Sequence, residues 1–316
     1  MTRTEPEKPA AGCPPADVLG DVLETLRFRG NIFFRSQLAA PWGMKLSPAM
    51  TPRFHIALQG DCVIGTSGEQ PLRLREMEIL LLPHGDMHWI ADHPGRDLVD
   101  SERAGAACEL GNPLFQQGTI TNRLICGMVH YEHELLHPLL DALPRTLHFA
   151  DIEPDDPVWT TVQLIDAEME RGGMLRSTLV DRLSEVLFLQ LLYRYVESEP
   201  ELPGFLSALS DRRIHRMLGL IHDKPAAPWT LESLARESGM SRATAARRFN
   251  DIVGMPPMAY LANWRLMKAH QLSRHSHLPF EEIAERVGFG SARSLGKAFV
   301  RAYGCTPAQL RRRARD

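Results

Sequence analysis

No CxxC pair occurs among the five cysteines, which stand at positions 13, 62, 108, 126 and 305. An odd, widely spaced set does not build a disulfide framework, and it points to reduced thiols in a cytosolic setting. No apolar run reaches the ~20 residues that a membrane helix needs. The opening residues do not read as a signal peptide, and none is expected. The expectation is a cytoplasmic protein with no membrane partner. Net charge is also scarce, at −3 overall, but it is unevenly placed. Residues 211–316 hold 19 basic and 9 acidic side chains, a balance of +10, and the preceding residues hold 17 and 30, a balance of −13. A basic module on an acidic body is the electrostatic footprint of nucleic-acid binding, hidden by the near-neutral total. At 316 residues and 44% hydrophobic composition the chain has the texture of two globular domains.

What is present in quantity is a repeat. LESLARESGMSRATAARRFNDIVGMPP, from Leu231, is answered from Phe280 by FEEIAERVGFGSARSLGKAFVRAYGCTP. Leu234, Ala235 and Gly239 recur as Ile283, Ala284 and Gly288. After a one-residue slip, Ser241, Arg247, Phe249, Gly254 and Pro257 recur as Ser291, Lys297, Phe299, Gly304 and Pro307. Each copy has the physics of a helix-turn-helix, over about 231–252 and 280–303. A short helix buries Leu234 and Ala235, or Ile283 and Ala284. Gly239 or Gly288 supplies the left-handed residue that ends it. Ser241 and Ser291 are N-cap candidates for a second helix. That second helix buries Phe249 or Phe299 and presents Arg242, Thr244, Arg247 and Arg248, or Arg293, Ser294, Lys297 and Arg301. A short, basic, hydrogen-bonding face is what a major groove admits. Between the copies, Met258, Leu261, Ala262, Leu266, Ala269 and Leu272 predict one apolar face of a helical strut from Pro256 to Ser273. About 17 residues give roughly 25 Å, enough to set two such helices about one DNA turn apart.

The doubled Ala-x-x-x-Gly motifs, the Ala259-Tyr260-Leu261 and Trp264-Arg265 run and the closing GFGSARSLGKAFVRAYGCTPAQLRR resemble the AraC/XylS family of transcription regulators over about the last 105 residues. The resemblance implies sequence-specific binding to operator or promoter DNA, with RNA polymerase as a further partner. Arg242, Arg247, Arg293 and Lys297 point outward by periodicity, and Arg and Lys favour guanine O6 and N7. Ala243, Ala246, Ala292 and Gly296 line the same faces, and the resemblance implies base contact there. Ser241, Ser291, Arg301 and the run from Arg311 read as phosphate contacts or solvated charge.

The N-terminal half reads differently. A disordered, Pro-rich tail is expected over residues 1–16, then an amphipathic helix over 17–30 stopped by Gly30. From Asn31 to about Arg96, short apolar or alternating runs broken by Gly, Pro and Ser predict a small antiparallel barrel or sandwich. Asn122 to His130 reads as one more strand, and residues 101–118 as loop. Pro83-x-Gly85-x-x-His88-x-x-x-Asp92 resembles the second motif of the cupin barrel, and His55-Ile-Ala-Leu-Gln-Gly60 the end of the first. The His-x-His-and-Glu cluster of enzymatic cupins is absent. Arg53 stands where its carboxylate would be, and Met77 replaces a Gly. The resemblance implies a sensor barrel holding a small-molecule effector or a metal ion, with His55 and His88 as candidate ligands. The plain alternative for each is a buried, hydrogen-bonded histidine, or an exposed one. Trp42, Trp89 and Phe54 could line a pocket or be core.

Helices are expected over 133–143, 156–170 and 175–196, the last two as a hairpin broken at Arg171-Gly172-Gly173. Their apolar surface must pack on the barrel or on a second subunit, which predicts a homodimer. The expected architecture is α+β and multidomain. A cupin-like sensor domain (17–150) and a helical dimerisation and linker region (151–204) precede an all-α, double helix-turn-helix DNA-binding domain (205–316). The expected function is effector-responsive transcription regulation without catalysis. The rival is a metal-dependent cupin enzyme fused to a DNA-binding module.

Overall fold

The computed structural model describes residues 17–109, 113–131, 137–171 and 175–313. The expected disordered tail, the Gly172-Gly173 break and the first part of the helix expected over 133–143 lie outside these residues. The chain forms two compact units. One is Leu26–Ser207. The other is Ala208–Asp316 together with the first helix up to Thr25.

That first helix, α1 (Val18–Leu26), is shorter than the sequence suggests. Arg27 adopts a left-handed φ of 52° and ends it, and the next strand begins at Arg29. Gly30 is therefore a strand residue and does not stop the helix.

Among its described residues the larger unit contains ten strands. β1 (Arg29–Leu38), β2 (Gly43–Leu46), β3 (Arg53–Gln59), β4 (Cys62–Thr66), β5 (Leu72–Leu74), β6 (Ile79–Leu82), β7 (His88–Ala91), β8 (Val99–Asp100), β9 (Asn122–His130) and β10 (Leu147–Phe149) make two five-stranded sheets. Their orders are β1-β9-β3-β6-β10 and β5-β4-β7-β2-β8. Pairing is antiparallel except between β2 and β8. Side chains of both sheets, among them Leu38, Met44, Ala57, Ile64, Leu82 and Leu124, meet in one core. Residues 101–118 are not all loop, because α2 (Ser101–Glu109) occupies the first half and buries Ala104 in that core. Among the described residues of the segment expected as a helix over 133–143, 137 to 143 run through turns.

α3 (Pro157–Arg171) and α4 (Arg176–Ser198) pack on each other, and α4 lies along β1. A Cβ on Gly30 would fall 2.2 Å from the Cβ of Ser184. Glycine is required there because helix and strand approach so closely. Leu187, Phe188, Leu191 and Leu192 are buried within this unit. The exposed apolar side chains of α4 are Leu175, which precedes it, and Leu179, Val186 and Tyr193. Arg35 and Arg123 both bind the Asp166 carboxylate, at 2.7 and 2.9 Å, and so fasten α3 to β1 and β9. α5 (Gly204–Ser207) closes the unit.

The smaller unit is helical: α6 (Arg212–Asp223), α7 (Leu231–Glu237), α8 (Arg242–Val253), α9 (Pro257–His275), α10 (Phe280–Val287), α11 (Ala292–Tyr303) and α12 (Pro307–Arg313). The repeat is written into its hydrogen bonds. Ala235 O accepts from Met240 N at 2.9 Å, and Ala284 O accepts from Phe289 N at 2.8 Å. Gly239 and Gly288 hold φ of 66° and 84° at those turns. Ser241 and Ser291 cap α8 and α11 by accepting from Thr244 N and Ser294 N, each at 3.2 Å. Gly254 and Gly304 end both helices in left-handed conformation.

The strut α9 is not amphipathic in the expected sense. Tyr260, Leu261 and Trp264 are buried, with Tyr260 meeting Phe249 of α8 at a ring-centroid distance of 5.6 Å. Leu266 and Ala269 enter a second core with Ile283, Ala284, Leu295 and Phe299. Met258 and Ala262, expected on a buried face, are exposed. A helix buried on two sides carries apolar residues around most of its circumference, which blurs a one-face reading.

Candidate nucleic-acid interface and internal cavity

α8 and α11 each turn one side inward through Phe249 or Phe299 and leave the other open. On α8 the exposed residues include Arg242, Ala243, Arg247 and Arg248, with Thr244 and Ala246 half-buried between them. On α11, Arg293, Ser294 and Lys297 are exposed, and Ala292 and Gly296 are half-buried. The structure thus brings the sequence-selected residues of each copy onto one face of one helix. It also divides the cations. Arg242 pairs with Glu232 at 2.9 Å, and Arg248 pairs with Asp211, which caps α6. Arg247, Arg293 and Lys297 pair with no carboxylate among the described residues. Their charge is still to be matched, as is that of Arg301, exposed further along α11.

Two arginines that look like surface charge have other work. Arg265 donates to Pro225 O and Ala227 O at 2.7 and 2.8 Å. Arg311 donates to Ser273 O and Leu278 O at 3.1 and 2.8 Å and lies over the Phe280 ring. Each ties down the segment leading into a helix-turn-helix. For Arg311 this corrects the reading as phosphate contact or solvated charge. Ser241 and Ser291 likewise spend their hydroxyl oxygens on helix caps.

The sheet unit holds a cavity of about 440 Å³. Phe33 and Phe34 of β1, Met44 and Leu46 of β2, Arg53 and His55 of β3, Ile90 of β7, and Cys126 and Met128 of β9 line it. Ser101, Glu102, Gly105 and Ala106 of α2 complete the wall. The β1–β9 register shifts between Ile32 and Phe34. Consecutive strand residues normally face opposite ways, but a bulge turns both phenylalanines to the same space. Neither α2 nor this bulge is legible from the sequence pattern. Trp42, Trp89 and Phe54 do not line the cavity. Trp42 is core and donates to Asn122 Oδ1 at 3.0 Å, Trp89 lies on Gly65, and Phe54 lies on Gly127.

His55, in the cavity wall, meets His88 of β7. Their Nε2 atoms are 2.7 Å apart, and Cys126 Sγ lies 3.0 Å from His55 Nδ1. His88 Nδ1 is 2.8 Å from the carbonyl oxygen of Asp86. A carbonyl only accepts, so His88 Nδ1 carries the proton and its Nε2 accepts from His55. His55 Nδ1 is then the acceptor, and the Cys126 thiol donates to it. Burial pushes the pKa of His88 down to about 4 against the opposing pull of the Asp86 carbonyl. Burial, then His88 and Arg53, hold His55 well below the ordinary histidine value. Both rings are neutral. Burial raises the Cys126 thiol well above its ordinary value and pushes Cys62 up to about 12, so neither is a thiolate at neutral pH. Cys305 is buried as well, and Cys13 and the Cys108 side chain lie outside the described residues. Among the described residues no group of three or more His, Cys, Asp or Glu side chains is placed to hold a metal ion.

Arg53 is the cation of the cavity wall, and Glu102 of α2 is exposed in the same lining. The Arg53 Nη1 donates to Ser47 O at 2.7 Å, and its buried Nε reaches no acceptor. Burial lowers its pKa. Met77 keeps a left-handed φ of 65° at the position where the cupin pattern has Gly.

Comparison with known proteins covers both units. The family described as Cupin matches residues 17–197, and a family described as Helix-turn-helix domain matches residues 234–313. An AraC-like transcription regulator of Streptomyces lividans is 28% identical over 94% of this chain and 98% of its own length. The HTH-type transcriptional regulator AlkR of Acinetobacter baylyi is 26% identical over 94% of this chain and all of its own. Among solved structures, the DNA-binding domain of AdpA in complex with a target DNA is 30% identical, with a TM-score of 0.31. That match covers 33% of this chain and 93% of that one.

Proposed function

The chain belongs to the AraC-type transcription regulators with an N-terminal cupin domain, and from that premise we propose how its parts divide the work. The protein is a DNA-binding transcription regulator. In our reading α8 supplies most base discrimination through Arg247, with Ala243 and Ala246 allowing close approach. α11 engages a more degenerate stretch through Arg293 and Lys297, beside Ala292 and Gly296. Arg242 and Thr244 border these contacts and orient on phosphates, and Ser241, Ser291 and Ser294 border them at the capped starts of α8 and α11. The observation that carries this division is the pairing of charges: Arg242 and Arg248 have carboxylate partners, whereas Arg247, Arg293 and Lys297 have none. A free guanidinium offers a bidentate edge to guanine, whereas a free ammonium is a point charge.

The cupin domain is read as a sensor that takes a small-molecule effector in its cavity. It is not read as a catalytic centre, because His55 and His88 direct their Nε2 atoms at one another and an arginine stands in the place of the cupin carboxylate. The working form is a cytoplasmic homodimer on double-stranded operator DNA, with RNA polymerase as its further partner. Among the described residues no helix is long and apolar enough to cross a membrane.

The test is a selection from random duplexes with wild type, Arg247→Ala and Lys297→Ala. Arg247→Ala should cost about 1–3 kcal/mol and relax preference at defined base pairs. Lys297→Ala should weaken binding evenly across sequences. The opposite pattern reverses the roles of the two helices.

A further inference from the structure

Resting on the sensor reading above, we infer that the cavity is a receptor for a small amphipathic acid, with the carboxylate on Arg53 and the apolar body between the phenylalanine pair of β1 and the β2–β9 walls. A cavity of about 440 Å³ lies in the ordinary range for small-molecule sites, roughly 300–1,000 Å³. Its wall is apolar over Phe33, Phe34, Met44, Leu46, Ile90 and Met128. Two phenylalanines and two methionines give a polarisable lining that adapts to a ring or a chain.

Into this apolar space β3 projects one permanent cation. The Arg53 guanidinium is half-buried, and of its donors only Nη1 has an acceptor among the described residues. No described carboxylate lies within ion-pair distance of it. Glu102 lines the same cavity from α2 but is exposed and unpaired with Arg53, so water screens its charge. The other titratable groups facing the arginine are the His55–His88 pair, both neutral, and the protonated Cys126 thiol. None supplies a negative charge. A partly desolvated guanidinium with an unmatched Nε is costly unless an anion completes it. Its planar fork accepts a carboxylate in two parallel hydrogen bonds. The hydroxyls of Ser47 and Ser101 stand in the same wall for a further polar group on the ligand.

The bulge in β1 has a role under this inference. It gives the cavity both Phe33 and Phe34, so the apolar body is gripped by the strand paired with β9, which pairs in turn with the Arg53-bearing β3.

The experiment uses the full-length protein and two matched pairs of probes: phenylacetate against 2-phenylethanol, and octanoate against 1-octanol. Binding is read by titration calorimetry. At least one acid should bind about tenfold or more tightly than its alcohol. Arg53→Gln and Arg53→Met should remove that preference while keeping alcohol binding, and Arg53→Lys should keep part of it. Retained alcohol binding shows that the variants still form the cavity. Equal binding of acid and alcohol by wild type would overturn the carboxylate assignment and leave the sensor reading standing. So would an acid preference that survives in both Arg53→Gln and Arg53→Met. Failure of all four probes to bind at millimolar concentration would overturn both.

Discussion

His88 is the residue whose environment most constrains its chemistry. Its Nδ1–H is fixed by the Asp86 carbonyl and its Nε2 by His55, in a site that holds the pKa near 4 where a free histidine has 6.5. Between those values the unfolded chain binds a proton that the folded domain refuses. The contribution is complete above about pH 6.5 and is lost as pH falls toward 4, on the order of 3 kcal/mol from this one group. His55, also held well below the ordinary histidine value by burial, acts in the same direction. Urea midpoints should therefore drop between pH 7 and 4.5 more steeply in wild type than in His88→Gln. Equal slopes would mean that the pair is not neutral in the fold. Gly296 poses a different residue-scale question. A Cβ there meets nothing within 4 Å, so the protein itself does not require glycine. Gly296→Ala should stabilise α11 by about 0.8–1 kcal/mol. If the position faces a groove wall, the same change should cost DNA affinity about 1 kcal/mol or more. Stabilisation with unchanged affinity would remove Gly296 from the interface.

Among the elements, α4 shows how burial edits a sequence reading. Its apolar residues run so densely that the pattern alone does not tell an inner from an outer face. The structure spends Leu187 and Leu191 on the unit's own core and leaves Leu179, Val186 and Tyr193 outside, seven residues apart. In the proposed homodimer this seven-residue apolar line is the expected seam of helix pairing. Leu179→Glu with Val186→Glu should turn a dimer into a folded monomer, read by sedimentation velocity with an unchanged thermal midpoint. Leu187→Asp should instead cost more than about 3 kcal/mol of stability by burying a charge. A dimer surviving the double change places the interface elsewhere. Elements with local signals were legible: Ser241 and Ser291 as caps, Gly239 and Gly288 as turn residues, and the α8 and α11 faces are all encoded within a few neighbouring positions. β2, β8 and β10 are short, and their pairing comes from residues far along the chain, so no local period announces them. α2 hides in a Gly- and Ala-rich stretch. The cavity was half legible, because His55 and His88 sit in cupin-like motifs, whereas Phe33, Phe34 and the orphaned donors of Arg53 depend on a bulge and on burial.

At the scale of the molecule, the charge imbalance and the double helix-turn-helix make one argument. The +10 segment gives affinity for the phosphate backbone at any sequence. If six to ten phosphates are neutralised, binding should fall by about 10³–10⁵ between 50 and 200 mM salt. Such affinity alone would let each helix-turn-helix act separately. The strut decides otherwise. α9 is 19 residues long, about 28 Å at 1.5 Å per residue, and it is buried both against Phe249 of α8 and in the core around Phe299 of α11. Arg265 and Arg311 bind the segments leading into the two motifs, so each is pinned at its entry as well. A helix held in two cores is a rigid spacer, and the two recognition helices should meet DNA only at a fixed separation and a fixed rotation. Inserting 5 base pairs between the two halves of a selected site adds about half a helical turn and moves the second half to the opposite face. The rigid spacer cannot follow. Affinity should fall to that of a duplex carrying one half alone, whereas a 10-base-pair insertion restores the rotation but not the distance and should not rescue it. Filter binding or anisotropy at fixed salt measures all four duplexes. Full affinity for either inserted site would show that the two motifs move independently, and the strut would then be a tether.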